Sequence, residues 1–305
     1  MKTTTLSALA IAVIFFAACS NNDDETPNLN DGLVKFSSGV TDRQTRVGGD
    51  NGNQWEGNEK IGIFMVENGS TTIAEGADNV AYVTTSTGTS ATFTSTTSIY
   101  YPVDVMQKVD FIAYHPYSPL TNTYEYAINA TVQENQSAID LMHSAANNNG
   151  VGYDKTQAKD YVNLTFNHKL TKVIIQTEPG NGLTQDDLAD MTITIKGLNT
   201  KAIYHLDTDV LETATDVAPI HIKTIEAGKK YEAIVIPQAL TLGAATVEFA
   251  LNNTKNEVFE YRLNVATFES AKLHKFNIII QRTPILIKGT INAWTPVGVI
   301  NGEAN

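Results

Sequence analysis

Residues 247–265 read Val247-Glu248-Phe249-Ala250-Leu251-Asn252-Asn253-Thr254-Lys255-Asn256-Glu257-Val258-Phe259-Glu260-Tyr261-Arg262-Leu263-Asn264-Val265. An extended chain turns successive side chains to opposite faces, so Val247, Phe249 and Leu251 share one face. Phe259, Tyr261, Leu263 and Val265 do the same on the way back. The polar run Asn252–Asn256 between them supplies the loop, and the whole predicts an antiparallel hairpin with one buried face. The same vocabulary recurs along the chain, in short runs of Thr, Val, Ile, Tyr and Phe broken by Gly, Asn, Asp and Pro. The fold class that follows is all-β, built of many short strands.

Toward the C-terminus, Phe276–Gln281 and Ile285–Lys288 read as strands, and they lead to Thr290-Ile291-Asn292-Ala293-Trp294. Toward the N-terminus, Met191–Ile195 and Ala202–His205 flank Gly197-Leu198-Asn199 and predict a second hairpin. Thr184 and Asp187 have the spacing of a capping box and predict a single helical turn. Tyr161–Thr177 is apolar, too long for one strand, and interrupted near Asn167-His168; it is the expected crossing from one domain to the next. Gln136–Ala146 is poor in β-branched residues and predicts a short helix holding Asp140-Leu141-Met142. The polar stretch from Asn147 to Lys159 is the expected linker. Lys60-Ile61-Gly62-Ile63-Phe64-Met65-Val66 is a continuous apolar run, expected to be a central strand. Val34, Phe36, Ser38 and Val40 alternate with polar or small residues, and the Gly- and Asn-rich loop Asp42–Asn53 that follows carries Arg43 and Arg46.

The N-terminus is a signal. Lys2 supplies its charge, Leu6–Phe16 its apolar run, and Phe16-Ala17-Ala18-Cys19 closes it with small residues before the only cysteine. A cysteine in that position is the lipobox pattern: the thiol is acylated and becomes the first residue of the mature chain. The alternative is a plain cleaved signal with an incidental cysteine. The run is shorter than the roughly 20 residues that span a bilayer. Residues 1–18 are therefore expected to be a signal peptide. Residues 19–32, with Ser20-Asn21-Asn22-Asp23-Asp24-Glu25 behind the lipid, are expected to be a solvated tether. An acidic run there resembles the export signal of lipoproteins displayed on the outer membrane. What remains after the signal is 287 residues, enough for two domains, expected at 33–160 and 161–305. Stability must come from sheets and cores, because one lipidated cysteine leaves no disulfide. The net charge of −12 argues against a nucleic-acid partner.

Catalytic signatures are absent: there is no Gly-x-Ser-x-Gly, His-Glu-x-x-His or phosphate-binding Gly-Lys-Ser/Thr pattern. The six histidines, His115, His143, His168, His205, His221 and His274, are scattered singly, without the spacing of a metal site. Asp50, Asn51 and Asn53 lack the alternating oxygen ligands of a calcium loop. No enzyme activity, cofactor or metal is expected. Trp55, Tyr100, Tyr101, Tyr114 and Tyr117 either line a glycan-binding platform or bury themselves in sheets.

The chain also resembles the fimbrillin family of lipoprotein pilins, the subunits of type V pili. The resemblance is carried by Phe36 with Thr45-Arg46, Trp55-Glu56-Gly57-Asn58-Glu59-Lys60-Ile61-Gly62-Ile63-Phe64-Met65 and Ile99-Tyr100-Tyr101-Pro102. Phe111-Ile112-Ala113-Tyr114-His115-Pro116-Tyr117, Asp140-Leu141-Met142 and Leu164-Thr165-Phe166-Asn167-His168-Lys169-Leu170 continue it. Lys272-Leu273-His274-Lys275-Phe276-Asn277-Ile278-Ile279-Ile280 and Ile291-Asn292-Ala293-Trp294 close it. Asn58-Glu59-Lys60 departs from the family's Gly-Asp, a turn variant. The resemblance implies two tandem β-sandwich domains of transthyretin-like form. It implies a fimbrial subunit that partners other pilus subunits, identical or homologous, adheres to a host or bacterial surface ligand, and is held at the outer membrane by lipid on Cys19. It further implies cleavage of the loop by an arginine-directed protease, at Arg46 first and Arg43 second, with loss of the strand bearing Val34, Phe36 and Val40. The vacated groove would be filled by a donor strand, for which Ile285, Ile287 and Ile291 have the right alternation. The competing readings are a permanent edge strand at Val34–Val40, as in an anchor subunit, and a stand-alone surface lipoprotein that binds glycan.

Overall fold

The computed structural model describes residues 32–38, 54–282, 286–293 and 298–303. Cys19, Val40, Arg43, Arg46, Ile285 and the Asp50 loop lie outside them. The described chain is all-β, with one turn of α-helix at Gln185–Leu188. That turn is capped as the sequence predicts: the Thr184 N–H and hydroxyl both donate to the Asp187 carboxylate, at 2.7 Å each.

The hairpin expected within residues 247–265 is present. Thr246–Ala250 and Val258–Arg262 pair antiparallel, with Val247 opposite Tyr261 and Phe249 opposite Phe259. Val247, Phe249, Leu251, Tyr261, Leu263 and Val265 are all buried. In the loop, the Asn253 side chain accepts from the Lys255 N–H at 3.1 Å, an Asx turn that fixes the connection. The hairpin belongs to a four-stranded sheet with Thr192–Lys196 and Ile220–His221. Facing it is a six-stranded sheet, in order Lys223–Glu226, Lys230–Val235, Thr171–Pro179, Lys272–Ile280, Leu286–Ala293, Gly298–Glu303. Val173, Ile175, Tyr231, Phe276 and Ile278 from this sheet pack with Ile193, Val247 and Phe249 from the other in one apolar cluster.

A second cluster lies between a three-stranded and a five-stranded sheet. The first runs Tyr161–Leu164, Lys35–Ser38, Ala91–Phe93; the second runs Asn167–His168, Met142–Ala146, Val109–His115, Lys60–Glu67, Val80–Val83. Phe36, Phe93, Val162 and Leu164 meet Ile61, Ile63, Phe111 and Met142 there. A third cluster covers the opposite face of the five-stranded sheet, with Phe64, Val66, Ile112 and Tyr114 packed on Ile128, Tyr204 and Ile234. This explains why Lys60–Val66 reads as a continuous apolar run. Ile61 and Ile63 face one cluster while Phe64 and Val66 face another, and a strand buried on both faces has no polar side. Glu125–Asn129 pairs with Asn199–His205 across the third cluster, so the early and late parts of the chain share a sheet.

Three expectations fail. Gln136–Ala146 holds a single 3-10 turn, Gln136–Ala138, and then the strand Met142–Ala146. Tertiary pairing with Val109–His115 and Asn167–His168 overrides its weak local preference. Met191–Ile195 and Ala202–His205 do not form a hairpin, because Thr192–Lys196 pairs with Thr246–Ala250 while Asn199–His205 joins Glu125–Asn129. Gly197 makes that change of sheet at φ +83, where a side chain would strike the Ala244 carbonyl. Asn147–Lys159 is no open linker. Tyr153 exchanges backbone hydrogen bonds with Val109, and Asp154 is buried in an ion pair with Lys108.

Candidate assembly site

The strand Lys35–Ser38 is interior, which excludes the edge-strand reading for its described part. On one side Lys35, Phe36, Ser37 and Ser38 run parallel to Tyr161, Val162, Asn163 and Leu164; on the other, Phe36, Ser37 and Ser38 run antiparallel to Phe93, Thr92 and Ala91. Upstream, the Val34 N–H donates to the Ile99 carbonyl at 3.0 Å and the Tyr101 N–H donates to the Gly32 carbonyl at 2.8 Å. Val34 and Phe36 are buried at 2% and 0% exposure, so they fill a slot rather than cover a surface. Tyr82 and Phe111 each present a ring edge to the Phe36 ring, at 5.1 Å. Without this strand, two neighbours would lose their hydrogen-bonding partner at once, and the slot between them would be lined by Phe93, Val162, Tyr82 and Phe111.

Ser38 ends the strand and Trp55 stands on the far side of the arginine loop. The Trp55 indole N–H donates to Ser38 Oγ at 2.9 Å, both groups being buried. The indole also meets Phe93, His115 and Phe166 edge to face. The two ends of the loop that carries Arg43 and Arg46 are thus clasped together over the core. Nothing in the sequence marks Ser38 for this role.

Beneath Trp55 lies a buried polar group. Burial pushes the Glu59 carboxyl up to about 7 and the His115 imidazole down to about 4; the two stand 4.0 Å apart. Asp140 Oδ1 and His168 Nδ1 are 2.7 Å apart beside them. Among the described residues no group of His, Cys, Asp and Glu side chains is gathered as metal ligands would be. Of the platform aromatics, Trp55, Tyr101 and Tyr114 are buried; Tyr100 is exposed and Tyr117 partly so.

The C-terminal segment is placed elsewhere. Leu286–Ala293 pairs antiparallel with Lys272–Ile280, which sets Ile287 opposite Ile278 and Ile291 opposite His274. Gly298–Glu303 adds the outermost strand. Within one chain the entry strand and this hairpin therefore occupy different sheets. His274 is 2% exposed and faces the Phe268 ring at 4.9 Å, and among the described residues neither ring nitrogen has a hydrogen-bond partner. Burial holds its pKa down to about 4.

The sequence profile of the fimbrillin-like family matches residues 45–294. A Bacteroides uniformis protein provisionally named fimbrium subunit Fim1C is 32% identical over 304 residues, covering 97% of this chain and 96% of its own length. A solved structure from the same species, provisionally described as a cell adhesion protein, is 28% identical with TM-score 0.71, over 87% of this chain and 99% of that one. Another from Bacteroides ovatus, described in the same way, is 18% identical with TM-score 0.62, over 90% and 98%, and speaks to the fold alone. The chain belongs to the fimbrillin-like family.

Proposed function

We propose that the chain is a structural subunit of a cell-surface fimbria serving adhesion, and that it polymerises by strand exchange. Acylated Cys19 holds the precursor at the outer membrane. Cleavage at Arg46, or at Arg43, frees the strand Lys35–Ser38 together with the tether, and the vacated slot accepts a strand from a neighbouring subunit. The observation that carries this reading is the interior position of Lys35–Ser38, paired on both sides, with Phe36 and Ser38 buried. Losing an edge strand would bare one row of backbone groups. Losing this one bares two facing rows and an apolar slot, which only another extended segment of period two can satisfy. Leu286–Ala293, with Ile285, Ile287 and Ile291 at two-residue spacing or its multiple, is the proposed donor.

Expressed on cells, an Arg43→Ala, Arg46→Ala chain is expected to stay membrane-bound and make no fibres. Fibres whose subunits still begin at Cys19 would overturn the mechanism. The glycan-platform alternative is not favoured, since three of its five aromatics are buried in the core.

A further inference from the structure

We propose that the loop Pro102–Met106 is a foot that seats the precursor on the lipid surface carrying its anchor. This rests on the reading of Cys19 as the lipidated residue and adds a second, reversible contact to it. The chain enters the described body at Gly32, whose carbonyl accepts the Tyr101 N–H at 2.8 Å, and Leu33 bridges to Tyr100. The loop follows at once. It exposes Val103 at 87%, Met106 at 81% and Val105 at 44%, beside Tyr100 at 47%. Among the described residues the other large exposed apolar side chains occur singly along the chain, as Val132, Leu242 and Val258 do. A run of four within seven residues is the kind of patch that marks a partner.

The loop is held in shape. Asp104 ties its carboxylate to the Met106 N–H at 2.9 Å and its carbonyl to the Gln107 N–H at 3.0 Å. Tyr101 and Pro102 are buried behind it. Its acid is therefore engaged with the loop's own backbone while Val103 and Met106 project. Tyr161, 53% exposed and opposite Lys35, adds an aromatic ring near the same end of the sheet. A tyrosine with an apolar body and polar tip suits a membrane–water boundary.

The lipid surface is chosen over a protein partner by chain length. Only Ser20–Asp31 separate Cys19 from Gly32, and fully extended they reach on the order of 45 Å. Lipid on Cys19 therefore keeps this end of the body close to the membrane at high effective concentration, so a weak apolar contact suffices.

Met106 is itself the probe, because Met65, Met142 and Met191 are buried and a solvent-borne oxidant reaches Met106 first among the described residues. The test uses cells expressing the full chain with Arg43→Ala and Arg46→Ala, so that body and tether stay joined. They are exposed briefly to chloramine-T, a charged oxidant confined to water, and Met106 sulfoxide is measured by mass spectrometry. The membrane fraction is compared with the same membranes dissolved in detergent. The expected result is several-fold slower oxidation on the membrane, with the protection lost in detergent. Membrane-bound chain whose Met106 oxidises at the detergent rate overturns the proposal and leaves the lipid anchor standing. Chain missing from the membrane fraction overturns both. Protection that survives detergent assigns the loop to a protein partner, such as a second copy, and also overturns the proposal.

Discussion

Phe36 and Ser38 show how much a four-residue strand can hold. Phe36 is fully buried between Tyr82 and Phe111, so Phe36→Ala should destabilise the precursor by about 3–5 kcal/mol in a urea titration. Ser38→Ala leaves the buried Trp55 indole N–H without its acceptor, a loss of about 1–3 kcal/mol by the same measurement. A change below the error of the titration would mean that the clasp contributes nothing. His274 bears on pH. Its folded pKa, about 4, lies below the ordinary histidine value of 6.5. Between those limits the unfolded chain therefore binds the extra proton, and stability falls as pH drops from 6.5 toward 4, by roughly 3 kcal/mol. His115 pushes the same way, but the neighbouring Glu59, raised to about 7, takes up its own proton in the folded state and offsets it. Among the described residues His274 has no such neighbour, so His274→Leu should flatten the slope of stability against pH between 4 and 6.5. An unchanged slope would place the titrating group elsewhere.

The proposed donor and acceptor are separate elements. Leu286–Ala293 and Gly298–Glu303 are the last two strands of a six-stranded sheet, while the slot lies between Tyr161–Leu164 and Ala91–Phe93. A chain ending at Arg282 could therefore accept a donor strand but not offer one. Added to full-length subunits it should shorten fibres in proportion to its share, as counted by electron microscopy; undiminished lengths would clear this segment of the donor role. The same separation explains what the sequence shows and what it hides. Alternation is local, so the hairpin at 247–265 and the doubly buried run Ile61–Val66 are legible from their own side chains. Partner choice is not local. Met191–Ile195 and Ala202–His205 alternate well enough to look like a hairpin, yet each finds the strand it pairs with most extensively at least 50 residues away, at Thr246–Ala250 and Glu125–Asn129, with shorter pairings to Ile220–His221 for the first and Val210–Leu211 for the second. Lys35–Ser38 reads as a strand from its alternation, but its interior place depends on Tyr161–Leu164, over 120 residues on. For the site, Arg43 and Arg46 come from family likeness, and Ser38 carries no signal at all.

The whole molecule joins its parts through the third cluster. We propose that residues 33–160 and 161–305 form two domains, the second lending Tyr161–Leu164 to the sheet of the first. Each has a cluster of its own, but Phe64, Ile112 and Ile128 from one side pack with Ala202, Tyr204 and Ile234 from the other. The strand pair Glu125–Asn129 with Asn199–His205 runs through the same region. The Gln133 side chain adds a link, accepting from the Ile234 N–H at 2.8 Å and donating to the Ile234 carbonyl at 2.9 Å. A buried shared core of this kind couples the unfolding of both sides, so the precursor should melt in one urea transition despite its length. Ala202, 8% exposed and opposite Ile128, is the place to test the coupling. Ala202→Asp puts an unpaired charge into the shared cluster while leaving the other two untouched. In a Trp294→Phe background, Trp55 fluorescence then reports the first domain alone and far-ultraviolet circular dichroism reports all strands. The two probes should coincide without Ala202→Asp and separate with it. Separation before the substitution would mean that the third cluster does not bind the domains together. Coincidence after it would mean that the clasped entry strand and the lent strand Tyr161–Leu164 are sufficient to make the molecule one cooperative unit.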